Sequence, residues 1–250
     1  MTTRTTIVVP CYNEAERFDN AAFDRALQEI VGLDFLFVND GSTDNTLPLL
    51  QEFASKHEGR VRVLALDHNQ GKSLAVRYGM LEAFSGDVSH CGYWDADLAT
   101  PLDEIPRFVD VLNAQPTLDL VIGSRVKLLG RSISRDPMRH YLGRIAATVA
   151  SLVLDLPVYD TQCGAKVFRN STEMRQLFEA PMKSGWVFDV EVIARLIRQR
   201  KDAGRSSAEH VIYELPLLQW HDVAGSKIRP NDYAKAFVDV IKVYLNVIRG

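Results

Sequence analysis

Short apolar runs alternate with amphipathic segments along the first half of the chain. The apolar runs have the length of strands and fall at residues 7–9, 35–38, 61–66 and 118–122. Between them, apolar residues recur at helical spacing over residues 23–30, 47–54, 73–84 and 102–112. This alternation is typical of βαβ units, so we predict an α/β fold with a mostly parallel central sheet flanked by helices.

The second half predicts longer helices and fewer strands. We expect a helix over residues 138–154, a strand over 165–168, a helix over 190–200 and a strand over 211–218. A last amphipathic helix begins at Asn231, and its apolar side consists of Phe237, Val240, Ile241, Tyr244, Leu245 and Ile248. No internal repeat or low-complexity linker divides the sequence, so we predict a single domain over residues 1–250.

Polar, turn-forming segments follow the early strands. They lie at residues 10–14, 39–44, 67–72, 95–97 and 123–125, and the fourth follows a further apolar run that ends at Trp94. In sheets of this kind, ligands bind beyond the carboxyl ends of the strands. We therefore expect these five segments to gather along one edge of the sheet and to form the functional site there.

The bulk composition is that of an ordinary soluble protein. Of the 250 residues, 46% are hydrophobic and 24% are charged, and the net charge of −3 does not favour nucleic acid as a partner. The three cysteines lack zinc-type spacing, which predicts free thiols in a reducing compartment. No signal-peptide core precedes the first strand, and the longest apolar run, residues 145–158, is shorter than the roughly 20 residues that span a bilayer. We expect a cytoplasmic protein that meets a membrane only peripherally, at its cytoplasmic face.

Asp95 and Asp97 stand one residue apart at the end of the fourth predicted strand. On an extended backbone, residues i and i+2 point to the same side, so both carboxylates are expected to face one point. Two carboxylates there can share a divalent cation, and their hard oxygen atoms suit Mg²⁺ or Mn²⁺. The simpler alternative is a loop in which an aspartate caps the next helix. The neighbouring ligand-like segments favour the metal site.

Two other strand-end segments contain residues typical of turns. Residues 39–44 predict a turn, although a buried Asp40 can also accept a hydrogen bond from a base or a ribose. Residues 69–73 partly match a phosphate-binding P-loop, but that motif requires glycine where this chain has Leu66. Lys72, at the predicted start of a helix, is either a phosphate ligand or a solvated lysine.

A basic segment begins at the fifth strand end. Residues 123–144 contain six basic residues and one acidic residue, Asp136, which gives a local charge of +5. The basic residues are Arg125, Lys127, Arg131, Arg135, Arg139 and Arg144. Guanidinium groups match the geometry of phosphate oxygens. Because no recognised nucleic-acid-binding module accompanies them, we expect a diphosphate or a lipid phosphate headgroup rather than nucleic acid. The alternative is a solvated helical face.

Together the motifs resemble those of a known enzyme family. The first-half segments Pro10-x-Tyr12-Asn13-Glu14, Asn39-Asp40-Gly41-Ser42-x-Asp44, Asn69-x-Gly71-Lys72, Asp95-Ala96-Asp97 and Gly123-Ser124-Arg125 resemble GT-A glycosyltransferases of family 2. The second-half segments at residues 160–168, 186–191 and 225–227 resemble the dolichyl-phosphate β-glucosyltransferases and their prokaryotic polyprenyl-phosphate relatives.

This resemblance implies one GT-A domain with two functional halves. Residues 1–125 would bind a nucleotide sugar, and residues 126–250 would bind the acceptor. The implied reaction is an inverting, metal-dependent transfer of a hexose, above all glucose from UDP-glucose, to a dolichyl or undecaprenyl phosphate. Mg²⁺ or Mn²⁺ is the implied cofactor.

The resemblance also assigns roles to individual residues. The nucleotide-sugar ligands would be Pro10, Tyr12, Glu14, Asp40, Lys72, Asp95 and Ala96, and the metal ligands would be Asp95 and Asp97. The catalytic residues would be Asp97, Arg125, Arg131, Asp189 and Glu191. The acceptor or phosphate ligands would be Arg125, Arg131, Arg135, Gln162, Ser226 and Lys227. Two positions depart from the family pattern, because Asn39 replaces an acid and Ala165 replaces a phenylalanine.

Several alternatives stay open at this stage. The donor can be GDP-mannose, or the acceptor a non-lipid hydroxyl, which would need Asp189 or Glu191 as a base. A phosphate acceptor needs no base, because it is mostly dianionic at neutral pH. A non-catalytic nucleotide-sugar-binding subunit is a further alternative. Residues 138–158 and the helix from Asn231 are candidates for membrane contact, and the oligomeric state stays open, a homodimer included.

Overall fold

A computed structural model describes residues 3–134, 137–223, 238–243, 245 and 247, without the side chains of residues 137–142. Three predicted site residues, Arg135, Ser226 and Lys227, lie outside the described residues. The same holds for most of the helix predicted from Asn231, of which residues 238–243 are described and are helical.

Seven strands form one central sheet, as the apolar runs predict. They are β1 (Thr5–Cys11), β2 (Leu33–Asp40), β3 (Val61–Leu66), β4 (His90–Trp94), β5 (Leu120–Ser124), β7 (Ala165–Arg169) and β8 (Ile212–Pro216). Their spatial order is β3-β2-β1-β4-β7-β5-β8. Only β7 runs antiparallel to its neighbours, β4 and β5. The predicted α/β fold with a mostly parallel sheet is confirmed.

A second, small sheet lies beside the main one. It pairs β6 (Ser132–Ser134) with β9 (Gln219–His221) in parallel. Neither strand was predicted from the sequence, because three residues are too few to show an alternating pattern. This sheet fixes the segment that follows β5 against the segment that follows β8.

Helices cover both faces of the main sheet. They are α1 (Asn20–Glu29), α2 (Thr46–Lys56), α3 (Lys72–Phe84), α4 (Ile105–Ala114), α5 (Pro137–Leu154), α6 (Thr172–Glu179) and α7 (Phe188–Asp202). One core cluster holds apolar residues of α1, α2 and α4, and the other holds those of α3, α5, α6 and α7. In β1, Ile7 and Val9 belong to the first cluster and Val8 to the second. Burial on both faces explains why the strands appear in the sequence as continuous apolar runs.

The predicted helices agree with the structure, with one addition and one change. Helix α6 was not predicted. The segment predicted over residues 102–112 starts as a 3₁₀ turn at Leu102–Glu104 and continues as α4. The three cysteines, Cys11, Cys91 and Cys163, are free thiols, as predicted, and all three are buried. Among the described residues, no helix combines the length and the apolarity that crossing a bilayer requires.

Candidate active site

The loops that follow β1 and β2 are joined by hydrogen bonds at the carboxyl edge of the sheet. The backbone N–H of Asn13 donates to Oγ of Ser42 at 3.1 Å, and the N–H of Thr43 donates to Oδ1 of Asn13 at 2.9 Å. The N–H of Glu14 donates to Oγ1 of Thr46 at 2.8 Å. Asn13 has a φ of 53°, a conformation that asparagine tolerates better than most residues. Two of the predicted strand-end segments therefore form one wall of the site.

Asp40, at the end of β2, holds the loop that precedes α3 through hydrogen bonds. Its carboxylate is buried and accepts the N–H of Gln70 at 2.8 Å and the N–H of Gly71 at 2.9 Å. The side-chain amide of Asn69 donates to the same carboxylate at 3.1 Å. These contacts give Asp40 a structural task beside its predicted role as a nucleotide ligand.

Asp95 and Asp97 lie in a turn rather than on an extended strand. The N–H of Leu98 donates to the carbonyl oxygen of Asp95 at 3.2 Å, and Leu98 has a φ of 52°. The N–H of Ala99 donates to Oδ1 of Asp97 at 3.0 Å. The expectation of an extended backbone was therefore wrong, because β4 ends at Trp94 and the chain turns at once.

Lys72 pairs with the first of these carboxylates. Its Nζ atom lies 2.5 Å from Oδ1 of Asp95 and 5.8 Å from the ring centroid of Phe188. Burial disfavours the ammonium ion, but the carboxylates of Asp95 and Asp189 outweigh this effect and raise the pKa of Lys72. Lys72 is therefore a fixed positive charge at the start of α3.

Asp97 is exposed at the carboxyl edge of the sheet and has a raised pKa. Partial loss of hydration among the surrounding loops is the main cause of the raised pKa, and repulsion from the carboxylate of Asp95 is the second. A divalent cation would relieve this repulsion, and its preference for carboxylate oxygens fits both side chains. The pair therefore fits Mg²⁺ or Mn²⁺ shared with a phosphate ligand. Among the described residues, no group of three or more His, Cys, Asp or Glu side chains is arranged to hold a metal.

Gly164, just before β7, lies against Asp95. The N–H of Asp95 donates to the carbonyl oxygen of Gly164 at 3.1 Å. A Cβ atom on Gly164 would lie 1.9 Å from Oδ2 of Asp95, so a larger residue would displace that carboxylate from its present position. The antiparallel pairing of β7 with β4 creates this approach, since Trp94 lies opposite Ala165.

Arg125, just after β5, holds the loop at residues 159–164. Its Nε and Nη2 atoms donate to the two oxygens of Asp160, each at 2.7 Å, and its backbone N–H donates to Oδ2 at 3.1 Å. The guanidinium Cζ lies 5.4 Å from the ring centroid of Trp220. Burial opposes the charge, but Asp160 outweighs it and raises the pKa of Arg125. Glu214 holds the same loop by accepting the N–H groups of Tyr159 and Asp160, both at 2.7 Å.

A buried polar cluster links β4, β7 and α7. Oδ1 of Asp189 accepts the phenolic O–H of Tyr93 at 2.6 Å and also accepts Nζ of Lys166. The same Nζ donates to the carbonyl oxygen of Cys163 at 2.7 Å. Lys166 has no exposed surface. Burial, followed by the charge of Asp189, raises the pKa of Tyr93 well above its usual value.

Glu191 closes the loop that precedes α7. Its fully buried carboxylate accepts the N–H of Lys183, and it accepts the N–H and O–H of Ser184 at 2.8 and 2.6 Å. Arg195 donates to the other oxygen at 2.6 Å. These contacts give Glu191 a loop-fixing task, and its predicted catalytic role stays a prediction.

The other predicted ligands lie on the same loops. Tyr12, Glu14, Pro10 and Gln162 are half-buried, Ala96 is buried, and Arg131 is half-exposed just before β6. Within the described part of the chain, the buried polar atoms without a hydrogen-bond partner include Oδ1 of Asn39, Oγ1 of Thr161 and Nε2 of Gln162. Because such atoms are usually paired, a bound ligand can satisfy them. Thr161 was not among the predicted residues, although its segment was recognised as a motif.

The chain is similar to known glycosyltransferases in sequence and in fold. The sequence profile described as Glycosyl transferase family 2 matches residues 6–173. The chain is 30% identical to the dolichyl-phosphate beta-glucosyltransferase ALG5C of Trichomonas vaginalis, with 96% of this chain and 70% of the relative covered. It is 31% identical to the dolichyl-phosphate beta-glucosyltransferase of Drosophila melanogaster, with coverages of 90% and 69%.

Solved structures share the fold. Glucosyl-3-phosphoglycerate synthase from Mycobacterium tuberculosis, crystallised with Mn²⁺, UDP and glucosyl-3-phosphoglycerate, superposes with a TM-score of 0.67. The sequence identity is 17%, and the match covers 98% of this chain and 80% of that one. The shared fold is the GT-A fold that the resemblance implied.

Proposed function

Because this chain belongs to glycosyl transferase family 2 and is a glycosyltransferase, we propose that it transfers glucose from UDP-glucose to a polyprenyl phosphate. One observation carries the proposal. The similarity to dolichyl-phosphate beta-glucosyltransferases extends over 90 to 96% of the chain, beyond residues 6–173 that the family profile matches. It therefore includes the half that the sequence analysis assigns to the acceptor.

The donor and metal assignments rest on the cleft and on the related fold. Asp95 and Asp97 would hold Mg²⁺ or Mn²⁺ together with the donor diphosphate, and the mycobacterial synthase with this fold was crystallised with Mn²⁺ and UDP. A bound divalent cation acts as a Lewis acid that stabilises the negative charge on a leaving nucleoside diphosphate. The nucleobase would lie against the wall formed by residues 12–14 and 39–44.

Two cationic side chains would act on the phosphates. Lys72 presents an ammonium at the start of α3, where the helix dipole also favours a negative group. Arg125 is held in place by Asp160, so it adds positive potential without losing side-chain freedom during the reaction. Both charges would favour departure of UDP over retention of the sugar–phosphate bond.

The acceptor phosphate would attack without help from a base. A phosphate monoester has its second pKa near 6, so about nine in ten molecules are dianions at neutral pH. One acceptor oxygen forms a bond to the anomeric carbon while the bond from that carbon to the UDP oxygen breaks, which inverts the configuration. In this mechanism Asp189 keeps its contacts with Tyr93 and Lys166 and positions α7 rather than taking up a proton.

A polyprenyl phosphate acceptor also means that the reaction takes place at a membrane surface. A polyprenyl phosphate has its chain in a bilayer and its phosphate at the surface, so the carboxyl edge of the sheet has to approach the membrane. We expect the protein to bind the cytoplasmic face peripherally. GDP-mannose as donor, or a hydroxyl acceptor, would make a related enzyme with the same family assignment.

Incubation with UDP-[¹⁴C]glucose, polyprenyl phosphate and Mg²⁺ or Mn²⁺ tests the proposal. We expect a labelled, organic-soluble β-glucosyl lipid, and we expect Asp97→Asn to abolish its formation while UDP-glucose alone and GDP-mannose give little. Label transferred to a soluble sugar would overturn the acceptor assignment. Tight UDP binding with no turnover on any acceptor would favour a non-catalytic binding subunit.

A further inference from the structure

A tight turn with a leucine at its tip follows β5. The N–H of Arg131 donates to the carbonyl oxygen of Leu128 at 3.2 Å, and Gly130 has a φ of 77°. This is the geometry of a hydrogen-bonded β-turn in which glycine takes the position with positive φ. Leu129 stands at the first central position, so its side chain is held outward. We call residues 127–131 the leucine turn.

The leucine turn exposes apolar side chains between basic ones. Leu129 is fully exposed and Leu128 is 46% exposed. Lys127 precedes the two leucines and is exposed, and Arg131 is the last residue of the turn. An exposed leucine side chain is costly in water, and the two cations that flank the leucines are attracted by anionic headgroups.

The leucine turn lies at the edge of the sheet that carries the candidate active site. It starts two residues after Arg125, which itself follows the carboxyl end of β5. Ser132, at the start of β6, donates its N–H to the carbonyl oxygen of Leu218 at 2.8 Å, and the Leu218 side chain is 39% exposed. Exposed leucines from two loops thus stand beside the residue proposed to meet the acceptor phosphate.

From these contacts we infer that the leucine turn inserts into an anionic phospholipid bilayer and sets the distance between the membrane surface and the active site. The inference rests on the proposed function, which places the acceptor phosphate at a bilayer surface. It assigns the contact to residues 127–131, separate from the helices that the sequence analysis considered.

The small size of the turn favours a bilayer over a protein partner. A stable protein interface buries about 800 Å² on each side and needs a complementary surface. Two leucines on one turn supply far less, whereas a bilayer accepts a single protruding side chain without a pocket. Two leucines and two cations predict weak, reversible binding, which suits an enzyme that has to release a lipid product.

Flotation of the full chain with phospholipid vesicles tests the inference. We expect binding to mixed phosphatidylcholine–phosphatidylglycerol vesicles and little binding to phosphatidylcholine alone. Leu129→Ser should lower the partition coefficient about tenfold, because it removes the buried area of one leucine, and Leu129→Phe should preserve it. Val31→Ser is the matched control, since Val31 is 76% exposed but precedes β2 at the opposite edge of the sheet.

The outcomes separate the two proposals. Equal partition of wild type and Leu129→Ser, or equal losses for Leu129→Ser and Val31→Ser, overturns the docking role of the turn. If the wild-type protein glucosylates a short, water-soluble isoprenyl phosphate but does not bind vesicles, the proposed function stands and the membrane-docking inference is refuted. If vesicle binding depends on Leu129 but no glucose is transferred to any polyprenyl phosphate, the membrane-docking inference is supported and the proposed function is refuted. A concentration-dependent dimer that Leu129→Ser dissociates would assign the turn to a second copy of the chain and overturn the bilayer.

Discussion

Nζ of Lys72 lies 2.5 Å from Oδ1 of Asp95, so the first residue of α3 and the first residue after β4 form one ion pair at the carboxyl edge of the sheet. The pair lies beside Asp97, whose pKa is raised partly by the carboxylate of Asp95. The ion pair occupies Oδ1 of Asp95, while the raised pKa of Asp97 marks a carboxylate whose charged form a divalent cation would stabilise. This arrangement agrees with Asp97 as the principal metal ligand.

Replacing Lys72 by methionine should weaken donor use. The substitution removes one charge-assisted contact, which is worth roughly 1.5–3 kcal/mol, so we expect kcat/KM for the nucleotide sugar to fall between about tenfold and a hundredfold. Steady-state kinetics against UDP-glucose measure the loss. Lys201→Met, in the last turn of α7, is the control and should behave as wild type. Unchanged kcat/KM in Lys72→Met would show that the ion pair has no part in donor binding.

Gly164→Ala should damage the site without unfolding the protein. The added Cβ would lie 1.9 Å from Oδ2 of Asp95, so the carboxylate has to rotate away from its present position. We expect at least a tenfold loss of kcat/KM and a larger Mn²⁺ requirement, with a small change in melting temperature. Gly185→Ala is the control, because a Cβ there meets nothing within 4 Å. Equal activity of both variants would contradict the close approach.

His90 should make stability depend on pH. Burial and the nearby charge of Arg169 lower the pKa of His90 to about 4 from 6.5, and within the described part of the chain neither ring nitrogen has a hydrogen-bond partner. Between pH 6.5 and 4, His90 is therefore protonated in the unfolded chain and neutral in the folded chain. Stability is complete above pH 6.5 and falls by up to about 3 kcal/mol as the pH drops towards 4.

Urea unfolding of wild type and His90→Leu over this pH range measures the effect. The variant should lose less stability on acidification, while at pH 7 it should be about as stable as wild type, since a buried unpaired ring is replaced by an apolar group. Parallel pH curves for the two proteins would assign the acid sensitivity to other groups.

The buried Lys166–Asp189 pair should be costly to break one partner at a time. The two side chains are 0% and 5% exposed, so Lys166→Met leaves a buried carboxylate without its cation and should cost roughly 3–5 kcal/mol. The double variant Lys166→Met/Asp189→Leu should lose less than the sum of the single variants. Urea unfolding of the four proteins measures the coupling, and strictly additive losses would rule it out.

Much of the fold follows from local patterns in the sequence. Residues 61–66 are bounded as predicted, because a short apolar run between polar segments has few alternatives to a strand. Helix α3 also matches its periodic segment within one residue. The orientation of β7 does not follow from periodicity, since an apolar run has the same pattern in either direction.

The motifs that form the site could be recognised in the sequence, but the contacts between their side chains could not. Asp95 and Asp97 were recognised by spacing, yet the turn at Leu98 depends on a backbone conformation that the residue type does not favour. Arg125 and Asp160 belong to two recognised motifs, but their ion pair joins residues 35 positions apart. Only the folded sheet brings such residues together, so sequence spacing alone could not pair them.

The place of β7 in the sheet has a consequence for protein synthesis. Within the described sheet β5 pairs with β7 and β8, and both of these strands emerge from the ribosome after residues 1–125 have been made. A nascent chain that stops there would carry β1 to β4 and the aspartate turn, but no glycine at position 164 to support Asp95 and no neighbour for β5. The donor half and the acceptor half are therefore interleaved in the sheet, and residues 1–125 depend on later parts of the chain for the last strand pairings of their own sheet.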